Sequence, residues 1–122
     1  MKQGIILFAH GSRDPGWSRP FKRIAAALSK NTKFLVRVAF LERMRPTLAE
    51  ALTALAAKKI SSVRVVPLFL GAGGHVKRDL PKLVAAANPS MKVSIDPPIG
   101  EQAAVIKAIA AVISKRGGRA SP

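Results

Sequence analysis

The chain has 122 residues, 48% of them hydrophobic and none a cysteine, which leaves room for one domain with a core and excludes disulfides, thiolate metal ligands and disorder along the whole length. No apolar stretch approaches the roughly 20 residues that span a bilayer, and the run after Lys2 is too short for a signal peptide and lacks a small-residue cleavage site, so a cytoplasmic protein is expected. Charge is lopsided, with 21 Lys and Arg against 6 Asp and Glu for a formal +15, a field that attracts a polyanion such as nucleic acid, an acidic metabolite or an acidic membrane surface.

GIILFA (4–9) is a short apolar run with β-branched residues and reads as a buried strand. The turn-rich HGSRDPG follows it. Phe21, Ile24 and Leu28 then recur as on one face of a helix. FLVRVAFL (34–41) is a second strand. Pro46 suits the first turn of the next helix, whose apolar stripe is Leu48, Leu52 and Leu55. VRVVPLFL (63–70) is a third strand, with Pro67 interrupting its regularity. Leu80, Leu83, Val84 and Ala87 mark a third helix, with Pro81 near its start. KVSID (92–96) is a fourth strand, and Val105, Ile109, Val112 and Ile113 mark a fourth helix. KRGGRASP closes the chain as a frayed basic tail, so 1–115 is expected to form a single domain and 116–122 a flexible extension.

Strand–helix alternation of this kind predicts an α/β fold: one doubly wound, parallel four-stranded sheet with helices on both faces. Right-handed crossovers and a central first strand give the flavodoxin-like order 2-1-3-4. In such sheets ligands bind beyond the carboxyl ends of the strands, where the order reverses. That point lies between strands 1 and 3. The chain has two histidines: His10 follows strand 1, and His75 follows strand 3 through the loop GAGG. Glu42 ends strand 2 on the same edge, and Arg13, Arg43, Arg45, Lys77 and Arg78 lie in the loops around it.

Three chemistries fit these residues. Neutral imidazoles bind cobalt, iron, nickel or zinc, and a carboxylate serves as ligand or base; two imidazoles leave coordination positions open, which suits a metal that must move on. A nucleophilic histidine is the second, because a His-Gly pair after strand 1 is similar to that of histidine phosphatases, although Ala9 stands where those have Arg. Ser12 as nucleophile is the third, although the G-x-S-x-G elbow is absent. GAGGHVKR is not a P-loop, since it lacks G-K-[ST]. A non-enzymatic basic module binding nucleic acid also fits the charge, but zinc-finger spacing, basic heptads and an RNP-type motif are absent, and aromatics are only 5%.

AHGSRDP after strand 1, FLERMRPTLAEAL after strand 2 and PLFLGAGGHVKRDLP after strand 3 occur together and in order. They resemble the motifs of the short-form sirohydrochlorin chelatases, class II tetrapyrrole chelatases of the cobaltochelatase and ferrochelatase types, over about residues 3–115. The resemblance implies a chelatase-like half-domain that inserts a divalent metal, Co2+ or Fe2+ with Ni2+ as a further candidate, into sirohydrochlorin during cobalamin or sirohaem biosynthesis. It implies His10 and His75 as the metal-binding and catalytic pair, with Glu42 assisting. Ser12, Arg13, Arg45, Gly73, Gly74, Lys77 and Arg78 are the implied contacts to the acidic macrocycle, whose eight carboxylates suit a basic rim. It further implies a homodimer, with no tightly bound cofactor and with neither membrane nor nucleic acid as partner.

Overall fold

The first apolar run forms a strand, β1 (Gln3–Ala9), in which only Gln3 is exposed. In the computed structural model, which describes residues 3–71 and 73–117 (backbone alone at 75 and 116), β1 pairs in parallel with β2 (Leu35–Phe40) on one side and β3 (Ser62–Pro67) on the other. β4 (Lys92–Ile95) adds in parallel to β3, and the sheet order is β2-β1-β3-β4, as expected. A strand covered by helices on both faces has no solvent side, so its residues of both parities are apolar and alternation is lost.

The helices are α1 (Arg19–Lys30), α2 (Leu48–Ala57), α3 (Gly74–Ala87) and α4 (Ala103–Gly117). Of the tail expected over 116–122, residues 118–122 lie outside the described residues. Ile6 and Phe8 face one core, with Leu52 and Leu55 of α2, Val65 of β3 and Leu80 of α3. Ile5 and Leu7 face the other, with Val36 and Val66, under Ala25 and Leu28 of α1. Each of these large side chains contributes about 1.5–3 kcal/mol by leaving water, so β1 anchors both layers.

The structure departs from the sequence reading at several elements. On α1 the small Ala25 approaches the sheet, while Ile24 flanks the contact and is 45% exposed. Pro46 lies before α2, not in its first turn: its carbonyl accepts the Phe40 N–H at 3.0 Å, which holds this segment extended beside β2. The third strand ends at Pro67 instead of running on to residue 70, although the Leu68 N–H still bonds to β1 at the Phe8 carbonyl. α3 starts at Gly74, so His75 is the second residue of a helix. Pro81 sits in its interior, where it cannot donate the i→i−4 hydrogen bond to the Lys77 carbonyl. On α4 the apolar stripe faces outward: Ile106, Ile109, Val112 and Ile113 are exposed, Ile113 by 65%. The main contact of α4 is with the 3-10 turn Ile99–Glu101. No helix among the described residues is long and apolar enough to cross a membrane.

α2 begins with a capping box. The Glu50 N–H donates to Thr47 Oγ1 at 3.2 Å, and the Thr47 N–H donates to Glu50 Oε1 at 2.9 Å. Arg45 also pairs with the Glu50 carboxylate. The Arg45 hydrogen bond first, and then the Thr47 N–H, hold the Glu50 carboxyl below its ordinary 4.5, at about 2. A depressed carboxyl favours the folded state above its unfolded pKa and loses that contribution as pH falls through the folded value. Glu50→Gln is therefore expected to flatten the acid limb of stability between about pH 4.5 and 2. Thr47→Ala should lower stability by about 1 kcal/mol at neutral pH. Urea melts across this pH range check both.

Candidate functional site

Parallel register decides what meets at the carboxyl edge. Ala9 lies opposite Phe40 on β2, and Phe8 lies opposite Pro67 on β3. Continuing each pairing sets Gly11 beside Glu42, and His10 beside Phe69. The backbone follows that course past the strand ends: the Leu41 N–H donates to the Ala9 carbonyl at 2.9 Å, and the Glu42 N–H to the His10 carbonyl at 3.1 Å. Gly11 then turns with φ +102°, and a Cβ there would stand 1.8 Å from the Glu42 carbonyl oxygen. Glycine is required both by the dihedral and by the close approach. Arg43 also takes positive φ, 70°, and its Nε lies 3.3 Å from the half-exposed Glu42 carboxylate.

Beyond Gly11 the loop is tied by local bonds. Ser12 Oγ accepts the Asp14 N–H at 3.1 Å, and Asp14 Oδ1 accepts the Gly16 N–H at 3.0 Å, capping the 3-10 turn Pro15–Ser18. Trp17 packs on Phe21 at 4.6 Å and approaches Phe40 at 6.4 Å, which fastens the loop to α1 and to the end of β2. Ser12 is thus a loop brace, and Arg13 is exposed beside it.

On the other side, the Leu68 N–H donates to the Phe8 carbonyl at 2.8 Å. The Phe69 ring meets Phe8 edge-on at 6.1 Å and the His10 ring at 5.4 Å. The Gly100 N–H donates to the Phe69 carbonyl at 2.9 Å, and a Cβ at Gly100 would fall 2.2 Å from the Leu70 oxygen. Gly73 is the N-cap of α3, so Gly74 and His75 form its first turn. A Cβ at Gly71 or Gly73 would meet nothing within 4 Å; the backbone there is bare without any steric demand from the fold.

The structure therefore brings His10, Gly11 and the Glu42 backbone together, and sets the α3 start, with Gly73, Gly74 and His75, at the same edge. Lys77 and Arg78 are exposed one turn further on. Arg45 is engaged by Glu50 at the α2 cap. Phe69 and Gly100 were not among the residues singled out from sequence; the signal for Phe69 is an aromatic directly after the third strand. Among the described residues no group of three or more His, Asp or Glu gathers as a metal cage. A groove of about 360 Å³ runs beside Phe69 between α3 and the 97–101 segment, with Val76, Leu80 and Pro81 on its wall and Lys77, Asp96 and Glu101 at its rim. The larger cavity, about 620 Å³, opens at the amino ends of the strands around Gln3, Phe34 and Lys92, the opposite edge from His10.

A sequence model of the CbiX family matches residues 4–116. The chain belongs to the CbiX family. It is 41% identical to a sirohydrochlorin cobaltochelatase of Saccharolobus solfataricus over 90 residues, 74% of this chain and 70% of the relative. A CbiX protein from Marinobacter aquaeolei VT8 superposes with TM-score 0.87 at 28% identity, covering 97% of this chain and 99% of that one. The sirohydrochlorin chelatase SirB of Bacillus subtilis superposes at 29% identity in its cobalt complex, with TM-score 0.81, over 95% of this chain and 51% of SirB. With Fe3+, SirB superposes with TM-score 0.79 at 30% identity, over 96% and 48%. This CbiX chain thus matches about half the length of SirB.

Gly11→Ala in this CbiX protein is expected to cost about 1–3 kcal/mol in backbone strain alone, with the clash on Glu42 added. Gly71→Ala, where nothing lies within 4 Å, should leave stability unchanged. Chemical denaturation of the two variants separates the cases, and equal stability would mean that the turn does not need glycine at 11.

Proposed function

We propose that this protein inserts a divalent metal ion, Co2+ or Fe2+, into sirohydrochlorin. The observation that carries the reading is an exposed His10 at the carboxyl edge of the central strand, in a CbiX family member similar to a sirohydrochlorin cobaltochelatase. SirB structures with cobalt and Fe3+ support the choice of metal. Ni2+ is a further candidate, and the proposal includes no tightly bound cofactor.

Insertion exchanges one hydrated dication for two protons on the macrocycle nitrogens. The protein must help the ion shed water, present it to the ring and take up the protons. A neutral His10 imidazole replaces one water on the ion, and His75, from the first turn of α3, replaces a second. Two protein ligands leave most of the coordination sphere to the macrocycle, so the ion can pass on. Once the pyrrole nitrogens hold it, the freed imidazoles accept the two displaced protons and return them to water. Glu42, paired with Arg43 in the resting chain, is the assisting carboxylate. Arg13, Lys77 and Arg78 meet the substrate carboxylates, with Ser12 and the bare backbone at Gly73 and Gly74 beside them; Arg45 joins when it exchanges Glu50 for a substrate carboxylate.

We also propose a homodimer built on α4, with 1–115 acting as one domain in each subunit. The outward Ile106, Ile109, Val112 and Ile113 form an exposed apolar stripe along one helix, and a contiguous apolar patch left uncovered is a candidate association surface. The matched segment of SirB is about half of that protein, which supports a second copy completing the cleft.

Mixing the protein with sirohydrochlorin and Co2+ should change the macrocycle absorption spectrum at a catalysed rate. His10→Ala and His75→Ala should each slow it about a hundredfold or more with the fold retained; a normal rate in either variant removes that histidine from the site. Light scattering should give twice the mass of one chain. Pairing Val112→Glu with Ile113→Glu should halve that mass and lower activity, and a fully active monomer refutes the dimer.

A further inference from the structure

A histidine that ligates a metal is ordinarily oriented by a hydrogen bond from its second ring nitrogen to a carboxylate or carbonyl, which also raises its basicity and tightens metal binding. Among the described residues no hydrogen bond holds either ring nitrogen of His10. Its ring instead lies against Phe69, with centroids 5.4 Å apart and planes at 61°.

Phe69 is itself held from several sides. Its ring meets the fully buried Phe8 at 6.1 Å and 73°. Its carbonyl accepts the Gly100 N–H at 2.9 Å, and the preceding Leu68 N–H is bonded to the Phe8 carbonyl at 2.8 Å. Gly100 packs so close to Leu70 that any side chain at 100 would strike the Leu70 backbone at 2.2 Å. A continuous packed path therefore runs from the sheet core through Phe69 to His10.

We propose that Phe69 is the positioning residue for His10, fixing the imidazole through ring packing while leaving both nitrogens free. An aromatic contact orients the ring without the added basicity of a carboxylate partner. That suits a ligand that must release its metal to the substrate, and the nitrogen the metal leaves is then open to a proton. The inference rests on the reading of His10 as a metal-handling group.

The test is steady-state metal insertion by the full chain with Co2+ and sirohydrochlorin. Phe69→Leu keeps an apolar side chain in place but removes the ring. It should lower kcat about tenfold or more, as misplacement of a reacting group does, with KM for sirohydrochlorin within about twofold. Phe69→Tyr keeps the ring and should restore most of kcat. In a His10→Ala background, Phe69→Leu should add no further loss, because its effect passes through the imidazole. Wild-type kcat in Phe69→Leu, a change in KM alone, or the same fold-loss with and without His10 would each overturn the proposal. If His10→Ala itself retains the wild-type rate, the reading of His10 fails and this inference falls with it. If His10→Ala is inactive while Phe69→Leu is normal, only the positioning role is lost.

Discussion

Burial of β1 on both faces is the constraint from which the rest of the architecture follows. A parallel strand flanked by β2 and β3 and covered by helices above and below cannot carry a polar side chain without stranding it. The first polar side chain the strand can display after Gln3 is therefore the one just past its end. That residue is His10, at the point where the sheet order reverses and the two crossovers leave in opposite directions. The placement of the candidate site is thus a consequence of where the core stops.

Two close approaches then shape this edge. Gly11 lets the first loop run against the Glu42 backbone, and Gly100 lets the 97–101 segment run against Leu70. Each brings a loop to a neighbouring strand end at a distance no side chain would permit. The first holds the His10 and Glu42 segments side by side. The second presses Phe69 between the core and the imidazole. Precision at an exposed site comes here from backbone packing below it.

Charge is distributed to the same end. Several of the few acidic residues are occupied by partners: Glu50 by Arg45 and the α2 cap, Asp96 by a bidentate Arg64, Glu42 by Arg43, and Asp14 by the N–H of Gly16. The surplus of Lys and Arg over Asp and Glu is left uncompensated, so the chain keeps a net positive field of the kind that attracts polyanions. α4 has the opposite character. It is an apolar helix whose outward stripe the sheet does not cover.

Local patterns in the chain were enough to determine the parallel sheet and its order, the helices, and the placement of His10, Glu42 and the His75 segment at one edge, because apolar periodicity and turn residues report on neighbours a few positions away. The tertiary structure decided the remainder. It placed the α2 start after Pro46, engaged Arg45 with Glu50, began α3 at Gly74 and turned the α4 stripe outward. It also joined Phe69 to His10 and Gly11 to Glu42. Those contacts depend on strand register, Phe8 opposite Pro67 and Ala9 opposite Phe40, and register is fixed by which side chains from distant segments fill the two cores together, a condition that no stretch of sequence carries by itself.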